Sequence, residues 1–273
     1  MPGRWRSSEE RQIEVLGYCI EAGARCLAGG SAFFACLVAS QALQGALRIS
    51  TGTPLGIPSL IGLATVCGAS AAAVGVSEAA GSFLTTGDAR KVLSLPQAQA
   101  APENLEALAG VGAFGVAAFR ALGGRFHSIA PSRLDSLGSF AHSPFSLRAT
   151  LNYATAQEKV ALSKLGEVFG CHSCGGRRGP FHADHMPPVK VVAAANARLW
   201  RRMLRATVSQ RFYPQCKACS ELQSSAVRNA SGAFVYHFRA LRPYHATGAL
   251  VVLATVLLAK HCDSQAKAVR KQK

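Results

Sequence analysis

Two long runs without a formal charge lie near the N-terminal end of the chain. Residues 26–47 and 57–76 contain no Asp, Glu, Lys or Arg, and each is close to the roughly 20 helical residues that cross a hydrocarbon core. A short polar turn at 48–54 separates them. The pattern predicts a hairpin of two membrane helices over 26–47 and 54–76. The alternative for the first run is a buried helix of a soluble protein.

Two further apolar segments are weaker. Residues 105–122 are interrupted by Glu106 and Arg120, and residues 246–259 form an apolar run that is short for a span and precedes a basic tail. Residues 105–122 are therefore open as a span, and residues 246–259 would cross a locally thinned bilayer without tilt or sit in it as a re-entrant segment. The sequence therefore leaves the number of spans open between two and four.

The polar parts of the chain have their own order. Residues 123–149 are basic and rich in Ser and Pro, which is typical of a linker. Residues 150–169 have apolar positions at helical spacing and end before Gly170, a residue suited to stop a helix. The predicted organisation is a membrane helical region over 1–122, a basic linker over 123–149, a separate module over 150–245, and a short apolar segment with a basic tail over 246–273.

Composition and charge support this organisation. Hydrophobic residues make up 49% of the chain and charged residues 16%, with 26 glycines and a formal net charge of +16. Abundant Gly and Ala are typical of helices that pack closely in membranes. The fold class predicted is mainly α, with multi-pass membrane helices and a small α+β module. No signal peptide is predicted, and no nucleotide-binding loop or Ser nucleophile motif occurs.

The chemistry of the module lies in two C-x-x-C pairs, Cys171 with Cys174 and Cys216 with Cys219. A C-x-x-C turn presents two thiolates on one side of a tight loop, so two such pairs supply the four corners of a tetrahedron. Four Cys ligands are typical of a closed, structural zinc site. The alternatives are four free thiols and, less consistent with nine cysteines in all, a pair of disulfides.

The order of motifs resembles that of the zinc-stapled HNH endonucleases. A C-x-x-C pair is followed by Asp184-His185-Met186-Pro187-Pro188 and then by the second C-x-x-C pair, over residues 171–220. The resemblance implies a treble-clef, ββα-metal fold for this module. It also implies that Asp184 would bind a catalytic Mg²⁺ or Mn²⁺ ion and that His185 would be the general base that activates water.

The chain departs from that family at two positions. The family has an Asn shortly before the second C-x-x-C, where this chain has Arg211, and an Asn or His just after its last Cys, where this chain has Ser220, with Gln223 a turn later. An alternative role for the histidines is packing beside a structural zinc or bonding to its ligands. Nuclease activity is therefore the second hypothesis.

The charged residues of the module are almost all basic. Residues 171–220 contain nine Lys or Arg and one carboxylate, Asp184, which indicates a polyanionic partner. Nucleic acid and anionic lipid head groups both fit this charge, and a partner protein is a further alternative. The candidate anion-binding residues are Arg198, Arg201, Arg202, Arg205 and Arg211.

The working hypothesis is an integral membrane protein whose zinc-stabilised, Arg-rich module binds a polyanion or a partner protein. The alternatives are a membrane-anchored, metal-dependent nuclease and a purely structural membrane component. Reduced thiols favour the cytosolic side for the module. Basic residues before the first run favour a cytosolic N-terminus, and the two arguments agree only if residues 105–122 do not span.

Overall fold

The computed structural model describes residues 8–87, 102–149, 152–204, 207–229, 233–238 and 240–272, most of which are helical. The chain divides into two compact units. We call Met1–Leu37, Leu63–Gly124 and Arg242–Lys273 the helical unit, and Val38–Gly62 with Arg125–Leu241 the cysteine unit.

The described residues form eight α-helices and five short strands. The helices are α1 (Ser8–Ala46), α2 (Ile57–Thr86), α3 (Pro102–Ala121), α4 (Ala156–Phe169), α5 (Val189–Asn196), α6 (Leu199–Met203), α7 (Lys217–Arg228) and α8 (Thr247–Gln272). The strands are β1 (Ser132–Arg133), β2 (Leu147–Arg148), β3 (Phe181–Met186), β4 (Arg211–Cys216) and β5 (Phe234–Val235).

Helix α1 begins 18 residues before the predicted 26–47 and ends one residue earlier, and helix α2 begins three residues after the start of the predicted 54–76 and ends ten residues later. Helix α1 ends because Arg48 adopts a left-handed conformation with φ of 57°, which lets the Ile49 N–H donate to the Gln44 carbonyl at 2.8 Å. Helix α2 starts after a turn that contains Gly56, with Pro58 in its first turn, where a missing N–H costs nothing. A ten-residue turn, 47–56, joins the two helices.

Small residues set the distance between helices in the helical unit. An added Cβ at Gly29 would overlap Val252 of α8 and the Ala73 carbonyl of α2, and one at Gly248 would overlap Phe33. Large apolar side chains fill the space between the helices. Those that are fully buried include Phe33, Val66, Phe119, Val251 and Val252. By contrast, Gly68 and Gly75 of α2 have nothing within 4 Å of such a Cβ.

Three helices in the described part of the chain are long and apolar enough to cross a membrane. They are Val15–Ala46, Ile57–Thr86 and Pro243–Arg270, with mean hydropathies of 1.6, 1.8 and 1.4. Helix α3 is not one of them. The third candidate span is longer than the apolar run over 246–259, because α8 continues through the basic tail to Gln272.

Strands β3 and β4 form the centre of the cysteine unit. They pair antiparallel over six residues each, from Phe181 opposite Cys216 to Met186 opposite Arg211, and β2 adds to the other edge of β4. Helix α4, capped by Thr155 and Glu158, packs on this sheet. The core there is small, formed by Ala154, Leu162 and Phe212 with four half-buried neighbours.

Apolar residues at helical spacing, Val191, Val192, Ala195, Leu199 and Met203, predict one helix over 188–205, but the structure has two shorter helices there. Helix α5 ends at Asn196 and α6 starts at Leu199, because Arg198 has an extended backbone with ψ of 129°. The Asn196 side chain then accepts a hydrogen bond from the Val208 N–H at 3.1 Å, which ties the end of α5 to the chain that enters β4.

Residues 125–149, interpreted from composition as a linker, pack into the cysteine unit. Ser132 and Ser139 are fully buried, and the Ser132 hydroxyl donates to the Ser173 carbonyl at 2.6 Å. Gln41 of α1 donates to the Ile129 carbonyl at 2.9 Å and accepts from the His237 N–H at 3.0 Å. This polar network joins the end of α1 to the segment that carries the first C-x-x-C pair.

Candidate metal centre

The first cysteine pair lies in a tight loop directly after α4. Gly170 ends the helix with φ of 89°, and the Cys171 N–H donates to the Gly176 carbonyl at 2.8 Å. Gly175 has φ of 74°, a conformation that disfavours other residues. Within this loop, backbone N–H groups donate to the Cys171 and Cys174 sulfurs at 3.4 Å each.

The second pair lies where β4 becomes α7. Cys216 is the last residue of the strand and Cys219 is in the first turn of the helix. Because Cys216 is opposite Phe181 in the β3–β4 register, the hairpin brings the second pair back toward the loop that precedes β3. Two pairs separated by 41 residues in sequence thus meet through one hairpin.

The four sulfurs lie within 4.8 Å of one another, and Cys174 and Cys216 are 3.7 Å apart. A tetrahedral ion with Zn–S bonds of about 2.3 Å places its sulfurs about 3.8 Å from each other. Cys171 and Cys219 are buried and all nine cysteines of the chain are free. The cluster could therefore hold a metal ion such as zinc, and a set of four thiolates suits zinc.

Protons are shared unequally within the cluster. Hydrogen bonding with Cys171 lowers the pKa of Cys174 to about 7 and also lowers the pKa of Cys216. Hydrogen bonding with Cys174 raises the pKa of Cys171, and hydrogen bonding with Cys171 raises that of Cys219. A divalent cation would remove this competition, because all four sulfurs bind a metal as thiolates.

A buried polar group lies beside the sulfurs. Asp184 accepts from His172 at 3.0 Å through one oxygen and from the Gln223 amide at 3.1 Å through the other. Gln215 donates to Gln223 in turn. The His172 ring is 1% exposed and the Asp184 side chain 14%. Burial acts to lower the pKa of His172, but the hydrogen bond and charge of Asp184 outweigh it and the pKa is raised.

His185 lies apart from this group. Successive side chains on a strand point to opposite faces, and the His185 ring contacts Phe212, with ring centroids 4.5 Å apart. Its Nε2 lies 3.2 Å from the Asn152 carbonyl oxygen. The structure therefore brings Asp184 together with Gln223 and His172, and places His185 against the aromatic core of the hairpin.

The candidate arginines fall into different settings. Arg198 and Arg202 are exposed at α6, and the Arg201 guanidinium lies 4.6 Å from the centre of the Trp200 ring. Arg211 donates to the Ser146 hydroxyl at 2.6 Å and to the Ser143 carbonyl at 3.1 Å, so it anchors the 143–146 segment to β4. Arg205 lies outside the described residues.

Sequence reasoning did not assign His172, Gln215 or the apolar residues around Arg201. The position of His172 inside the first C-x-x-C pair was the available signal, because a residue there is held beside the sulfurs. Leu199 and Met203 were expected on the apolar stripe of the helix predicted over 188–205, whereas Leu199, Met203 and Leu204 are all more than 70% exposed.

Comparison with models of protein families, with curated proteins and with solved structures found no match for this chain. We therefore infer function from its residues and their geometry alone.

Proposed function

We propose that this chain is a multi-pass membrane protein whose cysteine unit is held by a structural zinc ion and binds anionic lipid head groups at the bilayer surface. The observation that carries the proposal is the exposed surface formed by residues 198–204. It combines arginines with large apolar side chains in a unit attached to candidate membrane helices. We call it the α6 surface.

The membrane part of the proposal rests on where the apolar residues point. In each of the three candidate spans, the most apolar stretch of 18 residues has few buried residues. The buried share of this stretch is 22%, 28% and 22%, respectively. The outward faces carry exposed residues such as Leu27, Leu60 and Leu258. Apolar surface of this extent is typical of contact with lipid or with other chains.

The α6 surface is unusual for a surface in water. Leu199 is 72% exposed, Trp200 49%, Met203 75% and Leu204 71%, and no carboxylate occurs between residues 185 and 220. At a bilayer surface the apolar side chains would enter the head-group boundary, and the arginines would meet phosphates at about 1 kcal/mol each. Trp is favoured at that depth. Lipid therefore explains both the charge and the apolar exposure, whereas nucleic acid explains mainly the charge.

The position of the unit within the chain supports the same partner. The turn 47–56 between α1 and α2 belongs to the cysteine unit, and the Thr51 N–H donates to the Pro131 carbonyl at 3.1 Å. If α1 and α2 span, the turn and residues 125–241 lie on the same side of the membrane only if α3 crosses as well. In that case, with reduced thiols on the cytosolic side, the N-terminus lies on the opposite side, against the sign of its own basic residues.

A protease-protection experiment tests this arrangement. An epitope tag before residue 8 and a second tag in an exposed loop of the cysteine unit, at residues 177–178, should be protected on opposite sides of sealed vesicles. Protection of both tags on the same side would contradict this arrangement, because it would show that α1, α2 and α3 do not all cross the bilayer.

Tryptophan fluorescence of the full chain tests the α6 surface. The chain has two tryptophans, Trp5 and Trp200, so a Trp5→Phe variant reports on Trp200 alone. In nanodiscs containing anionic lipid, the emission of Trp200 should shift to the blue and be quenched by brominated acyl chains. The shift should weaken in nanodiscs of zwitterionic lipid and in an Arg201→Gln/Arg202→Gln variant.

Two outcomes would contradict the proposal. One is emission typical of water with full access to iodide in every lipid mixture. The other is a response of Trp200 to added duplex DNA or RNA without a response to anionic lipid, which would favour nucleic acid as the polyanion.

A second candidate function is an HNH-like nuclease. In its favour, an antiparallel hairpin, β3 and β4, is followed by α7, and Asp184 of the strand contacts Gln223 of the helix at 3.1 Å. That is the arrangement implied by the resemblance, with Gln223 in place of the expected Asn or His. In this hypothesis, Asp184 would hold a Mg²⁺ or Mn²⁺ ion and His185 would take the proton from water.

Plasmid cleavage by the full chain tests this candidate. Activity with Mg²⁺ or Mn²⁺ that is lost in His185→Ala, at unchanged zinc content, would support it. Intact plasmid after prolonged incubation with either metal would count against it.

A further inference from the structure

A basic cavity in the cysteine unit has none of the four clustered cysteines and none of the α6 surface residues in its lining. Its volume is about 340 Å³. Its polar lining comes from the turn between α1 and α2, from residues 125–143 and from β4, and consists of Thr51, Arg125, His127, His142, Ser143 and Tyr213. No Asp or Glu lines it. An arginine and two histidines without an acidic side chain favour the binding of an anion.

The charge in this cavity is fixed in place. The Arg125 guanidinium donates to the Ala141 carbonyl at 2.8 Å through Nη1 and to the Ser139 carbonyl at 3.0 Å through Nη2. Ser139 itself is fully buried and belongs to the polar network described above. Arg125 is thus held by a rigid segment, so an arriving anion does not have to immobilise it.

One ring nitrogen of His142, a residue that lines the cavity, lacks a hydrogen-bond partner within the described residues. Its Nδ1 is buried and has no partner within the described residues, and its ring stacks on Phe145 with centroids 5.0 Å apart. Burial and the charge of Arg125 lower the pKa of His142. A buried polar atom without a partner is costly unless a ligand or water satisfies it.

We propose that this cavity binds a phosphate group carried by a small organic anion. Arginine, imidazole and hydroxyl groups together are the usual donors to phosphate. The volume exceeds that of one phosphate and is at the lower end of known ligand sites, which leaves room for the group attached to it. This site goes beyond the function proposed above and does not depend on the α6 surface.

The phosphate could come from two sources. Thr51 lies in the turn that joins two candidate spans, so a phosphodiester lipid head group is within reach. A soluble phosphomonoester presents the same chemistry from the water side. Both share the donors Arg125, His127 and His142.

Calorimetric titration of the full chain in a zwitterionic detergent tests the site. The probes are inorganic phosphate, glycerol 3-phosphate and a short-chain phosphatidylglycerol below its micelle concentration. Binding of the phosphatidylglycerol alone identifies a lipid head group, and binding of glycerol 3-phosphate identifies a soluble ligand. The His127→Gln/His142→Gln variant should weaken binding of the active probe about tenfold or more, as expected for lost hydrogen bonds to a charged group.

Matched controls separate the cavity from general charge and from folding. His182→Gln/His261→Gln removes two exposed histidines outside the cavity and should bind like the unchanged protein. Ser143→Ala removes one hydroxyl from an exposed position and should weaken binding several-fold even if the double histidine variant does not fold. Lack of binding by all three probes, or equal loss in the two histidine pairs, would overturn the proposal.

Discussion

The helical unit buries large apolar side chains where its helices cross, such as Phe33, Phe119 and Val252. The cysteine unit buries Gln, Ser and His side chains as well, around an apolar core centred on Ala154, Leu162 and Phe212. If the helical unit lies in a bilayer, its helices pack in a surrounding that is itself apolar. The cysteine unit has a small apolar core, so the proposed zinc cross-link and the polar networks would have to supply more of its stability.

The largest test of this contrast is removal of the metal. Cys171→Ser or a strong chelator should unfold the cysteine unit, because zinc binding supplies about 10 kcal/mol to small domains of this kind. Limited proteolysis should then cut within 125–241 while the far-UV signal of the helical unit persists. Cys262→Ser, an exposed cysteine outside the cluster, is the control. Metal analysis of the unchanged chain should give one zinc ion, and a folded sample without metal would refute the cross-link.

Truncation in the small core comes next. Leu162 is fully buried, so Leu162→Ala should cost about 2–5 kcal/mol by loss of burial and formation of a cavity. Leu257 of α8 is 52% exposed, and Leu257→Ala should change the stability of the protein in detergent much less. Denaturant unfolding monitored separately in each unit distinguishes the two. Equal losses would mean that Leu257 also lies in a packed interface.

A close helix crossing gives the third test. Gly248→Ala should destabilise the helical unit by about 1–3 kcal/mol, because the added methyl group has no room beside Phe33. Gly75→Ala meets nothing within 4 Å and should stabilise α2 by up to about 1 kcal/mol. Unfolding in SDS, followed by circular dichroism, measures both. A stabilising effect of Gly248→Ala would show that the crossing is looser than described.

The smallest effect is expected at the start of α4. Thr155→Ala removes the N-terminal cap and should cost about 1 kcal/mol, whereas Ser224→Ala in α7 should be close to neutral. The Thr155 hydrogen bonds hold the pKa of Glu158 below its ordinary value of 4.5. This cap therefore contributes above about pH 4.5, and its contribution is lost as the pH falls through the lower folded-state pKa. Unfolding curves of both variants at neutral and acidic pH check the magnitude and the direction.

Long-period patterns were easier to interpret than short ones. The two charge-free runs predicted α1 and α2, since an apolar run of that length has few other stable forms. The C-x-x-C spacing alone grouped four cysteines into one predicted site, and the structure places their sulfurs together. The composition of residues 125–149 indicated a linker because Ser, Pro and Arg are common in loops. Their burial depends on partners such as Gln41 and Ser173, which are distant in sequence.

The grouping of the turn 47–56 with the module also required the fold. Counting basic residues treated the turn 47–56 and the module separately, but both belong to one unit. The extended backbone at Arg198, which breaks the helix expected over 188–205, is equally invisible in a periodic pattern. The exposure of Leu199 and Met203 follows from that break.

The sequence by itself determined which segments are apolar helices and which four residues carry thiols at metal-ligand spacing, because helix periodicity and C-x-x-C geometry are local properties of the chain. The tertiary structure alone decided that Asp184 faces His172 and Gln223 while His185 faces Phe212, and that Arg125 and His142 line one cavity. These relations depend on strand register and on contacts between segments far apart in the chain, which no local pattern specifies.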